Sequence, residues 1–382
     1  MINYPSSKLP DINTSIFTVM SALATEHHAL NLSQGFPDFN CPEPLVELVN
    51  KYMRDGFNQY APMPGVLRLR EKISEKTEKL YGYQPNPDTE VTVTTGATEG
   101  LFAAITAIVK QGDEVVVLEP CYDSYAPAIR LAGGMPIYVP LAEPTFRVDW
   151  DLVKRRISSR TRAIIINTPH NPTGAVMTKQ DMDILANITN GTDILVISDE
   201  VYEHMVFDGK EHYSVLQHPS LRRRSFVVSS FGKTYHTTGW KVGYVVAPPS
   251  LTTELRKMHQ FLTFCTATPF QLAIADFLEE EAHYRTLPDF YQAKRDTFLK
   301  LMAPSRFKFI PTAGTYFQLA KYDAITTERD VDFAKRLTQE IGVATIPVSV
   351  FYHDKTDNHF LRFCFAKGDE TLEAAAERLV RL

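Results

Sequence analysis

Two lysines eight residues apart, Lys233 and Lys241, sit in a polar, glycine-dotted stretch. One apolar run, Phe226-Val227-Val228, precedes it, and a second covers 242–247. A loop that follows a buried strand opens onto the crevice at the strand ends, where open α/β sheets bind ligands. A lysine presented there can condense with an aldehyde as a Schiff base. The second lysine, with the hydroxyl of Ser230, can hold a phosphate. Taken alone, both lysines read equally well as solvated loop charges.

Four further loops follow strand-like runs and carry polar groups at the same relative place. Thr94-Thr95-Gly96-Ala97-Thr98-Glu99-Gly100 leads into a helix N-terminus, whose free N–H groups and positive dipole end suit an anion. Many turns between a strand and a helix look like this one. Glu119-Pro120-Cys121-Tyr122-Asp123-Ser124-Tyr125 offers Tyr122, which can stack on a flat heteroaromatic ligand or simply pack under a helix start. In Asn167-Thr168-Pro169-His170-Asn171-Pro172-Thr173-Gly174 two prolines fix the backbone and present Asn171 rigidly. Its amide can donate to a ligand oxygen or serve its own turn. Ser198-Asp199-Glu200-Val201-Tyr202 places Asp199 directly after a buried run. A carboxylate there is costly unless paired, so a cation is expected to face it. Tyr202, three residues on, can point to the same side.

One ligand uses all of these groups: pyridoxal 5′-phosphate. Lys233 meets its aldehyde, and Tyr122 stacks on its ring. Asp199 keeps the pyridine nitrogen protonated, because an opposite charge favours the charged form. The protonated ring is an electron sink for a carbanion. Asn171 and Tyr202 hydrogen-bond the ring oxygen. Ser230, Lys241 and the N–H groups of Ala97 and Thr98, on the Gly96 turn, hold the phosphate. Lys233, displaced by substrate, becomes the base that moves a proton from the substrate α-carbon to the cofactor.

The elements that must position these loops follow from periodicity. Strands are predicted over 91–95, 114–118, 136–140, 162–167 and 194–197, with helices over 98–109, 124–131 and 179–189 between them. Apolar strands without polar alternation, separated by helices, indicate a mostly parallel sheet covered on both faces. Ahead of them lie helices over 16–28, 44–55 and 66–80, the last two split by the proline-rich stretch Asn58-Gln59-Tyr60-Ala61-Pro62-Met63-Pro64-Gly65. After 280 come a long helix over 288–302, strands over 307–310, 315–319, 343–346 and 360–366, and helices over 330–341 and 370–382. This is an α+β pattern. Three parts follow: an arm over 1–40 packing with the last part, a large ligand-binding domain over 41–280, and a small domain over 281–382. Glu279-Glu280-Glu281 reads as a solvated helix face, and Arg222-Arg223-Arg224 as a solvated turn.

With 382 residues the chain is long enough for two domains. Its net charge of -5 argues against a non-specific nucleic-acid binder. No run approaches the length of a membrane span. Met1-Ile2-Asn3-Tyr4-Pro5 has no basic region leading into an apolar run, so no signal peptide is expected. Cys41, Cys121, Cys265 and Cys364 are scattered, with no metal-ligand or redox spacing. Free thiols in a reducing cytoplasm and no metal are the expectation.

The chain resembles the fold-type I pyridoxal-phosphate aminotransferases of class I/II over nearly its whole length. The matching residues include Asn31-Leu32-Ser33-Gln34-Gly35-Phe36-Pro37, Gln59-Tyr60, Gly96-Ala97-Thr98-Glu99 and Asn171-Pro172-Thr173-Gly174. They continue with Ser198-Asp199-Glu200-Val201-Tyr202, Ser229-Ser230-Phe231-Gly232-Lys233, Thr238-Gly239-Trp240-Lys241-Val242-Gly243 and Leu361-Arg362-Phe363-Cys364-Phe365. Within the family it is most similar to the methionine and kynurenine aminotransferase (glutamine transaminase K) branch. The resemblance implies a large α/β domain with a seven-stranded, mostly parallel sheet between helices, and a smaller α+β domain. It implies ping-pong transfer of an amino group from an amino acid to a 2-oxo acid. It also implies that Arg362 binds the substrate α-carboxylate with Asn171 and the backbone of Gly35. A homodimer with shared sites is implied too, Tyr60 reaching the neighbouring subunit's cofactor phosphate. Lys241 stands where many members carry arginine, keeping the charge and losing the bidentate fork.

Arg362 has a bottom-up rationale as well. It lies in an apolar strand, and its planar fork suits a carboxylate, either a ligand's or one of the protein's own. No second arginine is evident for a side-chain carboxylate. Ile16, Phe17, Tyr60, Tyr122 and Phe351, mostly apolar or aromatic, are the candidate lining residues. They favour methionine, aromatic, leucine, glutamine or kynurenine side chains over aspartate. Two other functions use the same sequence features: a cysteine-S-conjugate β-lyase, and a catalytically idle fold serving as a binding module. The intact Lys233, Asp199 and Arg362 set argues against the second.

Overall fold

The computed structural model describes residues 5–382. The expectation about the first five residues therefore falls almost wholly outside them. The strands, in chain order, are β1 (Leu30–Asn31), β2 (Val91–Thr94), β3 (Glu114–Glu119), β4 (Met135–Pro140), β5 (Thr161–Asn167), β6 (Leu195–Asp199), β7 (Ser225–Ser230) and β8 (Gly243–Val246). After them come β9 (Lys308–Phe309), β10 (Phe317–Lys321), β11 (Val343–Ala344), β12 (Ile346–Pro347) and β13 (Phe360–Cys364). Among the described residues they form three sheets. The largest has seven strands in the order β2-β8-β7-β6-β5-β3-β4. All of its neighbours pair parallel except β8, which runs antiparallel to both β2 and β7.

Successive residues of a strand point to opposite faces, and this sheet buries both. Val116, Leu118, Ile164, Ile166 and Val196 enter one apolar core, with Leu45, Ile73 and Leu185 from covering helices. Val115, Val117, Ile165, Ile197 and Phe226 enter a second core, with Leu101, Ile105 and Leu255. The apolar runs without alternation are thus strands with a core on each side.

The four-stranded sheet, β12-β13-β10-β9, is antiparallel. β1 pairs parallel with β11, so the N-terminal segment is tied to the C-terminal third of the chain. β11 and β12 replace the single strand expected over 343–346. The chain changes sheets at Thr345, whose hydroxyl donates to the Arg362 carbonyl at 2.7 Å. The helix expected over 330–341 is α-helical over Asp330–Arg336 and widens to a π turn over Leu337–Ile341.

Three helices longer than a single turn lie where periodicity suggested none: Trp150–Arg156, Pro249–Leu262 and Thr268–Phe277. Two of them begin with a proline in the first turn, which tolerates proline because its N–H is unsatisfied there anyway. Glu279, Glu280 and Glu281 form a turn, with Glu281 paired to Lys79 at 2.7 Å, rather than a helix face. Arg224 is not merely solvated. It donates to the carbonyls of Thr189, Thr192 and Ile194 at 2.8–3.0 Å.

No helix among the described residues is long and apolar enough to cross a membrane. No cluster of three or more potential metal ligands occurs among them either.

Candidate active site

The C-terminal ends of the parallel strands open onto a cavity of about 260 Å³. Its lining includes Gly35, Gly96, Ala97, Thr98, Tyr122, Asn171, Asp199, Tyr202, Ser230, Lys233, Lys241 and Arg362. Every sequence-nominated site residue except Tyr60 is therefore brought together. Each comes from the stretch of sequence expected to carry it, though Asp199 and Ser230 are the last residues of their strands and Ala97 and Thr98 already belong to the helix that follows. Tyr60 lies elsewhere, 85% exposed, its ring edge-on to Phe264 at 5.7 Å.

Lys233 is not on a loop. It occupies a single helical turn, Phe231–Thr234, directly after β7. Its Nζ donates to the Gly35 carbonyl at 2.9 Å and to the Tyr316 hydroxyl at 2.8 Å. Burial pulls its pKa down from 10.5 to about 8, against the raising effects of Cys364 and Asp199 and with further lowering by Arg362 and Lys241. The amine is thus far closer to its neutral, nucleophilic form near neutral pH than a surface lysine.

The cation expected opposite Asp199 is not a protein group. Its carboxylate is 3% exposed and accepts from the Tyr125 hydroxyl at 2.6 Å and weakly from the Val201 N–H at 3.3 Å. Lys233 spends its hydrogen bonds on Gly35 and Tyr316 instead. Burial lifts the Asp199 pKa from 3.8 to about 6, although these hydrogen bonds and Lys233 pull the other way. A raised carboxylate destabilises the fold once pH climbs past its folded pKa. Asp199→Asn is therefore expected to stabilise the cofactor-free protein at pH 8 by on the order of 2–3 kcal/mol. It should do so much less at pH 4, while turnover collapses. Thermal melts at both pH values check this; an equal shift at the two would contradict it.

Arg362, 1% exposed on β13, meets no carboxylate among the described residues. One nitrogen donates to the Asn171 Oδ1 at 2.7 Å, another to the Ser33 carbonyl at 3.1 Å, and Nε is buried without a partner. Its guanidinium lies 3.8 Å from the Phe317 ring centroid. Burial brings its pKa down from 12.5 to about 10. A cation held this way is a receptor for an anion from outside. Binding Arg362 through Oδ1 fixes the Asn171 amide. Its Nδ2 has no partner among the described residues, which leaves it to donate.

The anion-binding turn is built by close approach. Gly96 has φ +76°, and a Cβ there would meet the end of the Lys241 side chain at 3.1–3.2 Å. A Cβ on Gly243 would press within 2.8–2.9 Å on the Ala97 nitrogen and the Gly96 carbonyl carbon. Only glycine lets β8 lie against this turn. Glu99 accepts from the Thr95 N–H at 3.0 Å and contacts buried His259 at 3.0 Å, which locks the first helical turn. Lys241 has φ 54°, sparsely populated for a residue with a side chain.

Sequence reasoning missed Tyr316, Tyr125 and Phe317. Tyr125 lies in the same loop as Tyr122, and its position three residues past Tyr122 was the available signal. Missed too was the buried ion pair behind the turn after β6. Glu203 meets Lys76 at 2.8 Å and also accepts from Tyr81 and Tyr244. Of the candidate lining residues, Phe17 and Tyr122 face the cavity. Ile16, Tyr122 and Phe351 line an adjoining chamber of about 520 Å³, with Phe17 and Phe351 6.0 Å apart between the two.

Residues 27–379 match the family described as aminotransferase class I and II. The methionine aminotransferase of Escherichia coli (strain K12) is 55% identical over 379 residues, covering 99% of this chain and 98% of that protein. The solved structure of the Escherichia coli protein YbdL, identified as having a methionine aminotransferase function, superposes with a TM-score of 0.97 over 100% of both chains. A probable N-succinyldiaminopimelate aminotransferase of Mycobacterium tuberculosis is 37% identical, covering 98% of this chain and 97% of its own. A kynurenine–oxoglutarate transaminase of Dictyostelium discoideum is 35% identical, covering 99% and 96%.

Proposed function

This chain belongs to the class I and II aminotransferases, and on that premise we propose that it works with pyridoxal 5′-phosphate held at Lys233. We propose further that its amino donor is a sulfur-containing, apolar or aromatic amino acid, and that a 2-oxo acid receives the amino group in a ping-pong cycle. Nothing in the comparisons favours the β-lyase alternative.

One observation carries the cofactor assignment: the donor set is complementary to that molecule and incomplete without it. A buried carboxylate, Asp199, has no cation. An anion-ready turn, with Lys241, Ser230 and the N–H groups of Ala97 and Thr98, lines the same cavity, and Lys241 pairs with no carboxylate among the described residues. A lysine whose pKa is pulled down to about 8 lines that cavity with them. In this reading those four groups hold the phosphate, Tyr122 stacks on the ring, and Asn171 and Tyr202 bond the ring oxygen. Asp199 meets the ring nitrogen, whose protonated ring supplies the sink for the electron pair left when the α-proton departs. Arg362 and Asn171 clamp the substrate carboxylate beside Gly35. Lys233 then stands free to take the α-proton and hand it on.

The donor class rests on the 55% identity to a methionine aminotransferase and on the apolar lining at Phe17, Ile16, Tyr122 and Phe351. A panel of amino acids assayed with one 2-oxo acid tests it. Methionine is expected to exceed aspartate in kcat/KM by about a hundredfold, since an unpaired side-chain carboxylate would be buried. Aspartate equal to methionine would contradict it. A homodimer is part of the proposal. Exposed Tyr60 packs on exposed Phe264, and Phe57, Phe261 and Leu262, neighbours of these two in sequence, are exposed as well; large exposed apolar side chains gathered like this mark interfaces.

A further inference from the structure

We propose that Tyr316 is a positioning residue for Lys233: its hydroxyl, anchored on the Gly35 carbonyl, aims the free amine at the substrate. The inference rests on Lys233 being the reactive lysine.

Three segments distant in sequence converge here. Lys233 follows β7 of the large sheet, Tyr316 immediately precedes β10 of the antiparallel sheet, and Gly35 lies in the N-terminal segment. Tyr316 donates its hydroxyl proton to the Gly35 carbonyl and accepts from Lys233; Lys233 also donates to that carbonyl. The Tyr316 ring is fully buried. It is fixed by edge-on contacts with Tyr202 at 5.3 Å and Phe317 at 4.9 Å, and by Tyr291 at 5.7 Å. The bond to Gly35 alone would satisfy a buried phenol as a donor. Its accepting side takes the Lys233 N–H at 2.8 Å, with the Tyr202 hydroxyl alongside.

The consequence is geometric. A neutral amine has two N–H bonds and one lone pair. With both N–H groups held by Tyr316 and Gly35, the lone pair is left facing away from them. When the lone pair takes the α-proton, the substrate C–H bond breaks and a third N–H forms. The electron pair of the broken bond remains with the substrate and its cofactor. The other two N–H groups keep their acceptors, so the third proton is the one free to be passed on. Lys233 ends neutral again.

Tyr316→Phe removes only the hydroxyl and keeps the ring packing. Two readouts separate aim from architecture. In the loaded enzyme, kcat for methionine transamination is expected to fall about ten- to hundredfold, part of what a placed base contributes. KM is expected to stay within about twofold, because Arg362 binds the substrate. In the cofactor-free protein, the rate of pyridoxal phosphate capture is followed by absorbance against pH. The other groups facing the amine are Asp199, Tyr202, Lys241, Arg362 and Cys364, all unchanged. Loss of an acceptor that favours the ammonium lowers the lysine pKa, so the capture midpoint should move down by about one pH unit. A wild-type kcat with an unmoved midpoint would overturn the role. So would a fall in kcat matched by a lower melting temperature and an unmoved midpoint, which would make Tyr316 packing only. If borohydride trapped no more covalently held cofactor in the wild-type protein than in Lys233→Ala, the cofactor assignment itself would fail, and this inference with it.

Discussion

Lys233→Ala is expected to lower kcat by ~10⁴-fold or more, the largest effect of any single change in the molecule. The substitution removes two functions at once: the covalent anchor and the base for the α-proton. Burial pulls the pKa of the amine down to about 8, so it reaches its neutral, reactive form far more readily than a surface lysine does. Added methylamine should restore part of the rate, since a small amine can stand in for the base. The phosphate-holding groups, the Gly96 turn, Ser230 and Lys241, are untouched, so cofactor should still bind, without the covalent bond. Single-turnover kinetics with methionine measure this. Near-normal transamination in the variant would remove Lys233 from the chemistry.

Arg362→Ala is expected to act on substrate instead. Asn171, Ser33 and the Phe317 ring hold the guanidinium rigidly, and no carboxylate among the described residues forms an ion pair with it, Asp123 acting only from a distance. Truncating one partner of a buried, hydrogen-bonded charge pair costs about 2–5 kcal/mol. That corresponds to a loss of roughly 30- to 5,000-fold in kcat/KM. Most of the loss should lie in KM, with cofactor affinity little changed. Arg362→Lys should fall between, keeping the charge and losing the fork. Equal KM values for the wild type and both variants would make Arg362 a structural residue.

The sheet was legible because it buries both faces. Its central strands read as unbroken apolar runs, and the loops carrying Tyr122, Asn171, Asp199 and Lys233 each follow one, while β2 ahead of the Gly96 turn alternates Val and Thr yet is buried throughout. Lys233, Asp199, Asn171 and the Gly96 turn could therefore be placed at the same end of the sheet from the sequence. What was not legible was which polar group would answer which. Asp199 demanded a cation, and the protein answered with the Tyr125 hydroxyl. Its charge is left for a ligand to balance. Tyr316 gave no signal, because its partners lie 83 and 281 residues away and no local pattern encodes such pairing. The helices Pro249–Leu262 and Thr268–Phe277 were hidden by prolines that open rather than break them. The strand expected over 343–346 failed at Thr345 because the chain changes sheets there, a decision made by β13 rather than by the segment itself.

The central claim is that one protein holds, on Lys233, a cofactor that takes an amino group from an apolar or sulfur amino acid and keeps it until a 2-oxo acid arrives. Methionine added alone to the pyridoxal-phosphate-loaded protein tests it most directly, with the cofactor band and the 2-oxo acid product followed together. The predicted result is one equivalent of the 2-oxo acid of methionine per site, an equal loss of the band and no free ammonia. Adding a second 2-oxo acid should then restore the band. An unchanged band would contradict the claim, as would continuing release of 2-oxo acid and ammonia with no acceptor present.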